Sequence, residues 1–440
     1  MLKAGSATRT ITHDLGRPVQ GATTGNLADA VRDDLEANAC YLSNEDDAIL
    51  LISCDLGAVE NPYLPSLRRA VADAAGMEER GVLISVTHTH NGPVMIPSNP
   101  RKPVDEDYVE RLHSWLPELA RIAVGTARPA SIAWGAGRAR IAYNRRCCWA
   151  DGSHTMHGDT RRKGFTGLEG PDDPGQVSLF VADENEEMIA VIQHATSHPT
   201  CFYGHNIYTA DFPGESRAYL REVLGEVPVL FLNGAFGDQA NQNQLTKHYR
   251  KETSEQRVKR LAHIVTGETL RLLHENRFHD DVPLAHTFED MQVDVRLPVA
   301  ERLDWAEKTI AKVEAGEEVS RWDRTLSAAV KLLVDQFGEN PREHVPVHAL
   351  RVGDVGLVTV PCELFSQFGL DIKRRSPAPV TGVVGMSDGY VGYVPTTSGL
   401  IGGGYSGEPI YWTRCEAQTG YRIVETASRL LRQLWPGRGV

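Results

Sequence analysis

No apolar run approaches the roughly 18 residues that a membrane-spanning helix needs, so none is expected in this chain. Cysteine is scarce and odd in number, with 7 in 440 residues. No Cys-x-x-Cys pair occurs, and only Cys147 and Cys148 are adjacent. That argues against a disulfide framework and a cysteine-built structural zinc site, and favours reduced thiols in the cytoplasm. Positive charge is also short: 46 Lys and Arg against 58 Asp and Glu leave a formal charge of -12. Without a basic stripe, neither nucleic acid nor an anionic membrane surface is an expected partner. The opening MLKAGSATRTITHDLG lacks the apolar centre of a secretory leader, so none is expected.

What is present is ordinary globular composition, with 41% hydrophobic and 24% charged residues. Residues 48–55 and 81–87 are short apolar runs of the kind found in buried strands, ending on Asp55 and leading into His88. Between them, 64–75 has helical spacing. Strand, helix and strand within so short a span predict a parallel βαβ unit. Further helices are expected over 104–124, 214–224, 253–276, after Pro361-Cys362-Glu363 through about 375, and over roughly 422–435. Strands are expected at 177–182, 188–193, 228–233, 345–350 and 355–360. The Gly- and Asp-rich stretch 149–175 reads as a long loop, and 300–340 as a charged helical insertion. The fold class that follows is α/β, a large mixed β-sheet flanked by helices, in one catalytic domain over 1–440.

Several segments carry chemistry. In Thr87-His88-Thr89-His90-Asn91-Gly92-Pro93, two histidines two apart at a strand end share one face. Paired imidazoles suit a divalent metal, and α/β sheets place their sites at such ends. In Gln193-His194-Ala195-Thr196-Ser197-His198-Pro199 a second strand runs into His194. The four-residue spacing of His194 and His198 would chelate on a helix, but Pro199 disfavours helix there. His205 and Asp211 follow. Pro361-Cys362-Glu363 ends a third apolar run, and Tyr390-Val391-Gly392-Tyr393 opens a Gly-rich stretch containing Tyr405. Each has a plain alternative as a solvated loop or a packed turn.

Taken in order, THTHNGP, QHATSHP, NGAFGDQAN, VPCE and GYVGYVPT resemble the neutral/alkaline non-lysosomal ceramidase family. KAGSATRTIT and Asn144-Arg145-Arg146 resemble its opening strand and its Asn-Arg element. The resemblance runs from residue 4 to about 410. It implies a mononuclear zinc hydrolase with His88, His194, Glu363 and Tyr393 as metal ligands. It also implies His90 as a proton-transfer or orienting group, and Arg145 and Tyr405 beside the substrate carbonyl. Two departures stand out: Ala240 occupies the family's serine position, and GLIGGG replaces the stretch before Tyr405. The family's C-terminal β-sandwich is not expected within these 440 residues. His154, His157, His198 and His205 receive no role from the resemblance.

The expected activity is therefore zinc-dependent hydrolysis of an amide in a small molecule other than ceramide. An ester or lactone substrate, a metal-dependent lyase or isomerase, and a non-catalytic metal-binding protein of the same fold are the alternatives. Homo-oligomerisation is left open by the sequence.

Overall fold

A computed structural model describes residues 1–21, 27–97, 103–249 and 251–437. Two sheets carry the architecture. The larger has eight strands, in the order Val229–Asn233, Met188–Ala195, Gly175–Asp183, Arg128–Arg138, Lys3–Thr10, Glu36–Ser43, Ala48–Cys54 and Val82–Val86. Its inner pairings are antiparallel, and the outermost pair at each edge is parallel. The α/β class and the mixed sheet expected from sequence are both present. So is the βαβ unit, whose helix Leu64–Ala75 starts on a proline and stops at Gly76 in the left-handed conformation.

The second sheet pairs Leu284–Asp294, Arg342–Val352, Val355–Thr359 and Val380–Val384, the last two in parallel. One apolar cluster joins the sheets. It includes Leu51, Leu179, Ile192 and Leu230 from the first, and Leu350, Leu357 and Val384 from the second. Helices close the opposite faces. Leu67 and Val71 of Leu64–Ala75 and Leu116 of Glu106–Gly125 pack on Leu50, Ile52 and Ile84. Thr419–Leu434 lays Ile423, Ala427 and Leu431 on Val345 and Val358. Among the described residues no helix is long and apolar enough to cross a membrane.

Residues 300–340 form two helices, Ala300–Glu314 and Arg321–Phe337. Their apolar stripes, Ala306, Leu326, Val330 and Leu333, are buried in the same cluster as Ala58, Met386 and Tyr411. The segment 149–175 differs from the long loop expected. Arg146–Trp149, His154–Met156 and Phe165–Leu168 make a small three-stranded sheet. Asp151 and Gly164 sit in turns of that sheet. Asp151 accepts from the Ser153 backbone and Gly164 sits at φ +94°.

The strands meet at one place. Asn233, ending an edge strand, donates to the Thr87 carbonyl at 3.0 Å and to the Ser197 carbonyl at 2.8 Å. Its own carbonyl accepts from Gly385, beyond the second sheet's last strand, at 2.9 Å. Val86 N–H also reaches the Met386 carbonyl. The C-terminal ends of strands from both edges of one sheet, and from the other sheet, are thereby held together.

Candidate metal centre and cavity

The histidines expected at strand ends sit at this junction. His88 lies two residues past Val82–Val86, with its backbone turned to φ +66°. A left-handed backbone is unfavourable for a residue with a Cβ and persists only where its surroundings hold it. Here the His88 N–H bonds the Leu56 carbonyl and its Nδ1 faces the Gly57 carbonyl. An Nδ1–H donated to a carbonyl leaves the Nε2 lone pair pointing inward. His198 is anchored in the same way, its Nδ1 at 3.1 Å from the Phe236 carbonyl.

The inward atoms converge. His198 Nε2 lies 3.2 Å from Glu363 Oε2, and His88 Nε2 lies 3.6 Å from the same oxygen. His90 Nε2 is 3.2 Å from His88 Nε2. His88, His90 and His198 form a group whose ligand atoms all lie within 4.8 Å of one another. Glu363 Oε2 is buried and receives no hydrogen bond. Donors at about 2.0–2.2 Å from a tetrahedral zinc stand roughly 3.3–3.6 Å apart. The observed separations bracket that edge, so the residues fit a divalent cation.

Electrostatics agree with the geometry. Burial pushes the Glu363 carboxyl up, but His88 and His198 outweigh it and hold it well below its ordinary range. Burial, with Arg145 acting in the same direction, lowers His198 to about 3. Burial, then His88 and His198, keeps His90 well below its ordinary value. His90 and His198 are therefore neutral and the carboxylate ionised, the protonation states that metal ligands require.

Glu363 and Tyr393 are register partners in a two-stranded parallel pair, Glu363–Leu364 with Tyr393–Val394. Tyr390 donates to Glu363 Oε1 at 3.5 Å. Arg145, buried, uses Nη2 toward the Gly237 carbonyl at 2.9 Å, His198 Nε2 at 3.1 Å and the Tyr393 hydroxyl at 3.2 Å. Tyr405 packs beside Tyr393, ring centres 5.8 Å apart. The expected residues His88, His90, Arg145, Glu363, Tyr393 and Tyr405 all line one cavity of about 740 Å³.

His194 does not belong to this group. It lies within the strand Met188–Ala195, opposite Val177 on one side and Leu232 on the other. With Ile192 and Ala190 two and four residues earlier, it faces the layer between the sheets. There its Nε2 meets the Val383 carbonyl at 2.9 Å and its ring lies against Gly382. The structure places His198, and not His194 as expected, beside His88 and Glu363. The strand ends at Ala195, and Pro199 keeps the chain extended so that His198 reaches the rim.

The other histidines separate by environment. His154 pairs with Glu169 at 2.7 Å, a carboxylate that also holds Arg146. His157 lines the cavity, and burial lowers it to about 3. His205 is exposed, its ring beside Phe202.

The crystal structure of neutral ceramidase from Pseudomonas aeruginosa is similar over 99% of this chain and 74% of that one, with a TM-score of 0.73. This chain has the neutral-ceramidase fold. Sequence identity to that enzyme is 15%, a level at which the likeness is one of fold. A second structure, a ceramidase complexed with C2, gives the same TM-score and identity over 98% of this chain and 75% of that one. No family model and no curated protein matches the sequence. On this ceramidase fold the cavity carries Ala240, from the short strand Gln239–Ala240 paired with Tyr143–Asn144.

Proposed function

We propose that the protein is a zinc-dependent hydrolase that cleaves an amide bond in a small molecule other than ceramide. The observation that carries the reading is the buried set of His88, His198 and Glu363, in which both imidazole Nε2 atoms stand about one coordination edge from Glu363 Oε2, with His88 and Glu363 lining the cavity. Nitrogen and carboxylate donors in a four-ligand arrangement suit Zn²⁺. His88, His198 and Glu363 would hold the ion, and Tyr393, beside Glu363 in register, would complete the set. When bound, a divalent cation there polarises a carbonyl and lowers the pKa of a water toward about 7.

The chain's own groups supply the rest. His90 differs from His88 and His198 in lacking a carbonyl anchor on Nδ1 among the described contacts, and it is the least buried of the three. A ring free to turn, with its Nε2 at the donor cluster, suits moving a proton to the leaving nitrogen. Arg145 keeps a buried, permanently charged guanidinium at the cavity wall, where it orients a carbonyl oxygen and stabilises charge developing on it. Tyr405 adds a hydroxyl to the same wall. The fold likeness to ceramidases supports C–N bond hydrolysis, and Ala240 and the GLIGGG stretch support a different substrate.

Elemental analysis of purified protein, followed by a panel of N-acyl amides, esters and lactones in ¹⁸O-labelled water, tests the reading. The expected outcome is about one zinc per chain and solvent oxygen in the acid product. A His198→Ala variant that keeps both metal and turnover refutes it.

A further inference from the structure

The cavity's charges run against those of the whole chain. Acids outnumber bases in the sequence, 58 to 46. Among the described residues lining the cavity, Glu363 is the sole acid, and it is taken up by the histidines. Three permanent cations, Arg145, Lys247 and Arg257, share the wall with it.

Their partners leave that charge in place. Lys247 Nζ donates to the Gln244 amide oxygen at 2.7 Å and makes no ion pair among the described residues. Asp159, whose field reaches it, is engaged by Arg161 at 3.0 Å and by His248 at 3.2 Å. Arg257 stands 3.9 Å from Glu252, but that carboxylate is forked by Arg260 at 2.6 and 3.0 Å. Turned with its oxygen toward Arg257, the Gln242 amide accepts from Nε at 3.0 Å and Nη2 at 2.8 Å. Among the described residues Arg145 bonds only neutral acceptors. Amides and carbonyls orient these cations without neutralising them. Such a half-buried group, in a concave wall, attracts an oxyanion strongly.

Aromatic rings line the same cavity. Trp322, from the start of the helix Arg321–Phe337, meets Tyr405 edge to face at 5.4 Å, with Trp412 also lining the cavity. The cavity thus carries both a cationic set, Arg145, Lys247 and Arg257, and an aromatic set, Trp322, Tyr405 and Trp412.

We propose that the substrate carries an oxyanion, a carboxylate or a phosphate, seated against Lys247 and Arg257, with an apolar acyl group against Trp322 and Trp412. The substrate class is an N-acylated amino acid or an N-acylated amine phosphate. This rests on the amide-hydrolase reading above, and the experiment separates the two.

Three probes are titrated calorimetrically into chelator-treated protein: N-hexanoylglycine, N-hexanoylethanolamine phosphate and neutral N-hexanoylethanolamine. At least one anionic amide should bind ten times or more tighter than the neutral one, and which one identifies the anion. Lys247→Gln should reduce that preference about tenfold, the double variant Lys247→Gln/Arg257→Gln should abolish it, and Lys247→Arg should retain most of it. The ratio of kcat/KM values for anionic and neutral amides on the zinc-loaded protein should follow, through KM. Equal binding of all three probes, binding of none, or a preference that survives the double variant overturns the proposal. Anion-selective binding without hydrolysis of any amide overturns only the hydrolase reading. Hydrolysis without anion preference overturns only this one.

Discussion

Replacing His194 by leucine distinguishes a core histidine from a ligand, and its cost follows from the structure. Burial, with a smaller effect from Lys373, lowers the folded-state pKa of His194 to about 4. The unfolded chain titrates near 6.5. A histidine with a depressed folded pKa binds its proton more readily when unfolded. Its neutral form therefore costs nothing above about pH 6.5, and stability is lost as pH falls from there toward 4. Between pH 7 and pH 5 this one group removes about 2 kcal/mol, at about 1.4 kcal/mol per pH unit below the unfolded value. His194→Leu deletes that dependence. At pH 7 it costs roughly 0.5–1.5 kcal/mol for the lost bond to Val383, offset in part by apolar burial. Urea unfolding of metal-free protein at pH 7 and pH 5 measures both effects. The wild type should lose about 2 kcal/mol more than the variant over that interval, and zinc content should be the same in both. An unchanged pH dependence, or a His194→Leu protein unable to bind zinc, would refute the placement of this side chain between the sheets.

Other expectations follow from the same geometry. Asn233→Ala removes two side-chain bonds to the carbonyls of Thr87 and Ser197. It should destabilise by about 2–4 kcal/mol and weaken zinc binding, as read by melting and by competition with a chelator. Stripping zinc should lower the unfolding free energy by about 4 kcal/mol relative to protein in metal at a thousand times its Kd, and re-addition should restore it. Tyr393→Phe should cut zinc affinity tenfold or more while leaving the far-ultraviolet circular dichroism unchanged, because only a hydroxyl is removed. Arg145→Met should lose turnover by about a hundredfold or more with zinc retained, as measured by steady-state kinetics alongside elemental analysis.

How legible all this was depends on which signal each element sends. The fully buried strands Ala48–Cys54, Val82–Val86 and Val229–Asn233 are continuous apolar runs, and they stand out. Glu36–Ser43, Arg128–Arg138 and Leu284–Asp294 do not. The first two are built largely from Ala, Gly, Ser and Asn, small residues whose burial follows from close neighbours rather than from hydrophobic bulk. Gly135 and Gly137, for instance, lie against Leu272 and Glu268 with no space for a Cβ. Leu284–Asp294 is a half-exposed edge strand, its charged residues turned outward. The metal-site motifs were readable because their chemistry is unusual, but the choice between His194 and His198 was not settled by motif. One consistent rule separates them. His88 lies beyond the last paired residue of Val82–Val86, and Glu363 lies beyond Val355–Thr359 in a short pair with Tyr393, where a side chain can turn toward the junction. His194 is still inside its strand, and only His198, held before a proline, meets that condition. The cationic wall had no sequence signal, since Lys247 and Arg257 come from an irregular segment and a helix flank that only the folded chain brings to one cavity.

Asn233 joins Thr87 and Ser197 through main-chain acceptors, and the Gly385 link is also main-chain. Any residue type can provide those acceptors, so neighbouring side chains are released from the task of keeping the imidazoles at their spacing. Lys247, Arg257, Trp322 and Ala240 lie outside this clasp. They are open to exchange, and such a molecule can change its diet without rebuilding its jaw.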